Sequence, residues 1–179
     1  MRIGIQHISV APQKWQSEGD LKSFLEQDSH AVLVGTESEN PKEYYSIAVC
    51  NEPQGKLAVT VGVLCDGHGL LPEALAFPDY GLLFVGANSR VTVVSWEHRA
   101  AISDTDLGFL FRSFIPMLDR GIVLAAHETG AAAFSTKGKF LWQFHRDIVE
   151  QLYLDGLYLR MTFMDADAVR VDISTGREM

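Results

Sequence analysis

Three short groups in this sequence carry residue types that do chemistry. His127-Glu128-Thr129 sets an imidazole beside a carboxylate, a pair that can serve as general base and acid or as two metal ligands. Neighbours on a strand point to opposite faces, so the pair acts together only if a turn holds it. Cys65-Asp66-Gly67-His68 places a thiol, a carboxylate and an imidazole within four residues. Asp165-Ala166-Asp167, with Asp172 beyond, supplies carboxylates, but the glycine and terminal glutamate of a calcium loop are missing. Each group also reads as a plain polar turn between strands. The helix-borne His-Glu-x-x-His motif is absent, no second ligand pair marks a structural zinc site, and Gly62, Gly67 and Gly69 lack the Lys-Ser/Thr of a phosphate loop. The enzyme reading is therefore a small metal-dependent hydrolase using His127 and Glu128 with His68 and Asp66. Its metal would fall to His68, Asp66, His127, Asp165 and Asp167.

A second kind of chemistry is contact. Trp142, Phe144, His145, Arg146 and Tyr158 bring aromatic rings and a guanidinium close together in sequence, the residue types favoured at interface centres. The alternative is that these aromatics close the end of a β-core. Trp15 and Trp96 read as further core or rim residues.

The elements that must position these groups are mostly strands. Ile3 to Val10 reads as a strand, and Leu21, Phe24 and Leu25 have the i, i+3, i+4 spacing of a short helix that Ser17 can cap. Ala31 to Gly35 is a further strand, followed by a polar loop to Glu43. Tyr44 to Cys50 and Lys56 to Leu64 read as a hairpin around Asn51-Glu52-Pro53-Gln54-Gly55. The spacing predicts the main helix after Ser103, with Leu107, Phe109, Leu110, Phe111, Phe114 and Ile115 as its apolar stripe and Pro116 ending it. Cys50 and Cys65 lie in apolar runs and read as free thiols on strands.

From Gly81 onward a strand-turn-strand unit recurs, starting at Gly81, Gly121 and Gly156, spaced 40 and 35 residues apart. Each unit has an apolar first strand and a polar turn: Ala87-Asn88-Ser89, His127-Glu128-Thr129, then Met164-Asp165-Ala166-Asp167. The unit from Gly121 to Trp142, with Ser135-Thr136-Lys137-Gly138 before the tryptophan, resembles the blade repeat of quinoprotein-type β-propellers. A closed propeller needs at least four blades of about forty residues. The expected fold is instead one domain over residues 1–179, α+β and mostly β: a curled antiparallel sheet of β-hairpins with one main helix packed on it.

Composition narrows the function. The chain has 179 residues, 47% apolar and 21% charged, enough for a real core. Fifteen Lys and Arg stand against 23 Asp and Glu, a formal net charge of −8. That balance argues against phosphate-backbone binding, and no apolar run approaches a membrane span. With no signal-peptide pattern, a cytoplasmic location is expected. An acidic, cysteine-poor domain without a catalytic motif is similar, as a class, to bacterial toxin-immunity proteins. The expectation is a non-enzymatic protein-binding domain, of inhibitor or immunity type, neutralising a basic partner without a cofactor; nucleic acid and membrane are not expected as partners.

Overall fold

The computed structural model describes residues 8–29, 31–36, 39–51, 56–165 and 167–179. Among the described residues, fifteen strands and one α-helix form five layers. The first sheet has the order β1-β3-β4-β2, from β1 (Ile8–Trp15), β2 (Ala31–Val34), β3 (Glu43–Asn51) and β4 (Lys56–Cys65). Its strands pair antiparallel except β2, which runs parallel to β4. Three meanders follow. The second sheet is β5 (Glu73–Phe77), β6 (Leu82–Ala87), β7 (Arg90–Ser95) and β8 (Ala100–Asp106). The third is β9 (Phe111–Met117), β10 (Ile122–His127), β11 (Gly130–Ser135) and β12 (Phe140–His145). The fourth is β13 (Val149–Asp155), β14 (Tyr158–Phe163) and β15 (Ala168–Asp172).

Alternation along the strands explains the stacking, because successive side chains enter different interfaces. On β4, Val59, Val61 and Val63 meet Leu83, Val85 and Val94 of the second sheet. Leu64, on the other face, meets Leu21 and Leu25 of α1 (Glu18–Leu25). Gly62 makes that approach possible, since a Cβ there would lie closer than 3.0 Å to Leu25 Cδ1. Between the second and third sheets Phe84 is the hub, with Phe77, Phe114 and Phe134 edge-on at centroid distances of 5.3, 6.2 and 6.1 Å. Such pairs add roughly 0.5–1.5 kcal/mol each beyond area burial. Leu124, Ala131, Ala133 and Trp142 of the third sheet meet Leu159, Met161, Phe163 and Val169 of the fourth.

The two ends of the stack are finished differently. Helix α1 covers the first sheet, and Ser17 caps it by accepting from the Asp20 amide at 3.1 Å. The outer face of the fourth sheet is polar: Arg170 lies over Tyr158 at 4.3 Å and Arg160 over Tyr153 at 5.6 Å. Among the described residues, no helix is long and apolar enough to cross a membrane.

The mostly-β reading with one helix holds, and the three recurring units are β6–β7, β10–β11 and β14–β15. The helix expected after Ser103 does not form. Ser103 to Asp106 ends β8, residues 107–110 cross between sheets, and Phe111–Met117 is β9. Of the residues that imitated a helical stripe, Leu107, Phe111 and Phe114 are buried at the junction between two sheets, while Phe109, Leu110 and Ile115 are half-buried. Gly108 sits there at φ +70°, in the left-handed region that a helix interior excludes. Pro116 is tolerated because β9 is an edge strand and needs no amide on its open side. The covering helix is α1. The hairpin of β3 and β4 is as expected, with its turn, 52–55, outside the described residues, as are residues 3–7 of the first expected strand.

Candidate interaction edge

The meanders bring one set of loops to one edge of the stack. Crossings from sheet to sheet and the hairpin turns of the repeats lie there together, tied by backbone hydrogen bonds. Asn88 Oδ1 accepts from the Asp66 amide at 2.9 Å, and Asn88 Nδ2 donates to Leu64 O at 3.1 Å. The Leu107 amide donates to Ser89 O and the Phe111 amide to Asn88 O, both at 2.7 Å. One repeat later, Arg146 donates to Thr129 O at 3.0 Å and Val149 to Glu128 O at 2.8 Å. Met164 N then donates to Ile148 O at 3.1 Å. Asp66, His68, His127, Glu128, His145, Arg146, Asp165 and Asp167 therefore all belong to one edge.

Belonging to one edge does not bring them into one cluster. His127 is fully buried, stacked on Phe109 at 5.3 Å and 12°. Gln143 Nε2 donates to Leu107 O at 2.7 Å and lies 3.4 Å from His127 Nε2. An amide donor at that distance requires Nε2 to accept, which puts the ring proton on Nδ1, 3.4 Å from Thr129 Oγ1. Burial, reinforced by the nearby His145, lowers the His127 pKa to about 4, so the ring is neutral at pH 7. This imidazole is a packed, hydrogen-bonded part of the junction between the second and third sheets.

The other groups stay apart. His68 and Asp66 face each other across 4.0 Å at the surface. Asp165 accepts from the Asp167 amide at 3.1 Å in a local turn, and Asp167 pairs with Arg146 at 3.0 Å. Among the described residues, no three His, Cys, Asp or Glu side chains are grouped so as to hold a metal ion. Cys65 is buried, which pushes its thiol up to about 12, with Glu43 and Asp66 adding to the shift. Cys50 and Cys65 lie at opposite ends of the β3–β4 ladder, beside Leu57 and Glu43, and both are free thiols.

The aromatic group divides three ways. Trp142 is a core residue whose indole donates to Ile173 O at 2.9 Å, with Gly176 pressed against its ring. Phe144 packs half-buried on the same core, and Tyr158 lies on the outer face of the fourth sheet under Arg170. His145 and Arg146 are exposed on the loop edge, where Arg146 also reaches Glu178 at 3.2 Å. The sequence reading passed over the apolar residues exposed on this edge, Leu71 at 67%, Ile148 at 42% and Met164 at 70%. The signal for Leu71 and Ile148 was the phase of the repeat, which places residues 66–72, 107–110 and 146–148 in equivalent crossings, and Met164 opens the β14–β15 turn.

No protein-family model matches the chain, and no curated protein matches it. Solved structures do. A hydrazine synthase structure from Kuenenia stuttgartiensis is similar over 76% of this chain and 44% of its own, at 16% identity and a TM-score of 0.52. BamB from Moraxella catarrhalis is similar over 79% of this chain and 48% of its own, at 14% identity and a TM-score of 0.48. The computationally designed Ika4 protein covers 80% of this chain and 97% of its own, at 17% identity and a TM-score of 0.48. The chain spans less than half the length of the hydrazine synthase and BamB chains. These structural neighbours are β-propeller-like proteins, and the hydrazine synthase likeness, at 16% identity, bears on the fold alone.

Proposed function

We propose that this chain is a non-enzymatic protein-binding module, of the inhibitor or immunity kind, which holds a basic partner protein on its loop edge. The observation that supports this reading is the make-up of that edge. Asp66, Asp106, Glu128, Asp147, Asp165 and Asp167 outnumber the cations Lys42, Arg90 and Arg146 there, and Leu71, Ile148 and Met164 are exposed between them. Carboxylates on an interface rim steer an oppositely charged partner, while apolar anchors carry the affinity once water is excluded. The edge rests on interlocked turns and crossings rather than a free loop, so little ordering would oppose binding.

The test is capture with cross-linking from the native cell, run in parallel with wild type and with a Glu128→Lys, Asp147→Lys, Asp165→Lys variant. A basic protein should be recovered at one-to-one stoichiometry by wild type only. Its association rate, re-measured with purified components, should fall steeply with added salt. A partner held equally by the variant, a complex indifferent to salt, or no partner at all overturns the reading.

A further inference from the structure

A different feature lies between the third and fourth sheets. A cavity of about 230 Å³ opens between their first strands, lined by Arg112, Ser113 and Ile115 of β9, Val149, Glu150 and Leu152 of β13, and floored by Ala126 and His127 of β10. Its two charged residues share a backbone peculiarity. In the β9–β10 ladder Ser113 pairs with Ala126 and Phe111 with His127, so Arg112 is an extra residue without a partner. In the β13–β14 ladder Val149 pairs with Phe163 and Gln151 with Thr162, which makes Glu150 the extra residue. Both are β-bulges, a device that re-aims a side chain and is frequent beside functional sites. The bulges occupy equivalent places in the repeat, since Phe111 and Val149, the residues before them, make the same amide bond to Asn88 O and Glu128 O.

The neighbouring interface shows why space remains here. Between the second and third sheets, the Phe111 ring lies against Gly86, where a Cβ would come closer than 3.0 Å to three ring atoms. Glu73 Oε2 accepts from the Phe114 amide at 2.8 Å and seals the same gap. One repeat on, Phe111 is replaced by Val149 and Gly86 by Ala126. The smaller plug leaves the cavity. Arg112 Nη1 donates to Val149 O at 3.0 Å, which anchors the guanidinium across the gap and leaves its other donors available to a ligand.

We propose that this cavity binds a small zwitterion of the amino-acid type with a short branched aliphatic side chain. Arg112 takes the carboxylate, Glu150 takes the ammonium, and Ile115, Val149 and Leu152 enclose the hydrocarbon. The volume suits such a molecule, lying below the ~300–1,000 Å³ of drug-sized sites. The cavity adjoins the partner-binding edge proposed above, sharing His127 with it, but its argument does not rest on that reading.

The test titrates L-leucine into the full chain, followed by amide chemical shifts and calorimetry. Two probes, 3-methylbutylamine and 4-methylpentanoate, each lack one of the charges. Leucine should saturate and shift amides at Arg112, Glu150 and Leu152, with each probe about tenfold weaker or worse, the worth of one charge-assisted contact. Arg112→Met and Glu150→Gln should each weaken leucine to a similar degree, and both side chains are exposed enough for the fold to survive. The pair Val149→Phe and Ala126→Gly rebuilds the neighbouring plug and should abolish binding with the amide spectrum otherwise kept. No saturable leucine binding, equal binding of all three compounds, or indifference to Arg112→Met and Glu150→Gln overturns the proposal.

Discussion

Gly86→Ala tests the packing of the second sheet against the third at one methyl group. The added Cβ would sit closer than 3.0 Å to three atoms of the Phe111 ring. That ring is 2% exposed and packs on Phe114 at a centroid distance of 4.7 Å, so it has little room to retreat. Overpacking of this sort costs about 1–3 kcal/mol, while alanine in place of glycine on a strand returns roughly 0.5–1 kcal/mol of backbone entropy. The net expectation is a loss of about 1–2 kcal/mol. In a Phe111→Leu background the clash is gone and only the entropic gain remains, so the same substitution should become neutral or stabilising by roughly 0.5 kcal/mol. The assay is equilibrium unfolding in urea of the four proteins of the cycle, with an unchanged slope as the check that the unfolding transition is the same. The sign change between backgrounds is the informative result. An equal cost in both backgrounds would refute the placement of Phe111 on Gly86 and with it the strand assignment of residues 111–117.

Other perturbations follow from particular side chains. His127 has a folded pKa of about 4 against the ordinary 6.5 of an imidazole, so the unfolded chain binds more protons between those values. Its contribution is complete above about pH 6.5 and is lost as pH falls toward 4, to the extent of about 3 kcal/mol. His127→Gln should flatten that part of the stability profile relative to wild type. Cys65, held up to about 12 and buried, should resist iodoacetamide at pH 8 in the folded protein and react at the unhindered rate in urea, as read by mass spectrometry. Ser17→Ala removes the cap of α1 and should cost about 1 kcal/mol in urea unfolding, with no change in the shifts of the third and fourth sheets.

The local pattern carried much of this architecture. Continuous apolar runs between glycine turns identified the hairpins β6–β7 and β10–β11, whose strands are buried on both faces, and alternation identified β14–β15, buried on one face only. Leu21, Phe24 and Leu25 behind Ser17 likewise revealed α1, since caps and helical spacing are short-range features. Residues 103–117 misled because burial at a crossing between sheets has no period of its own. Phe109 and Leu110 are apolar on account of what lies across the junction, and only the assembled sheets decide that.

The candidate sites depended on tertiary structure to different degrees. That His127, Glu128, Asp66 and Asp165 share an edge follows from the repeat, once four strands are assigned to the second and third sheets and three to the fourth. That they do not converge, that His127 is buried beside Gln143, and that Trp142 belongs to the core are outcomes of packing over 16 to 31 residues of separation. The bulges at Arg112 and Glu150 had no visible signature, for a one-residue register shift is set by the partner strand. The sequence by itself determined the strands, their turns and the repeat, which are governed by neighbours along the chain. Faces, clefts and the company each charged group keeps were decided only when the sheets stacked, because burial and charge pairing depend on what the fold brings across the gap.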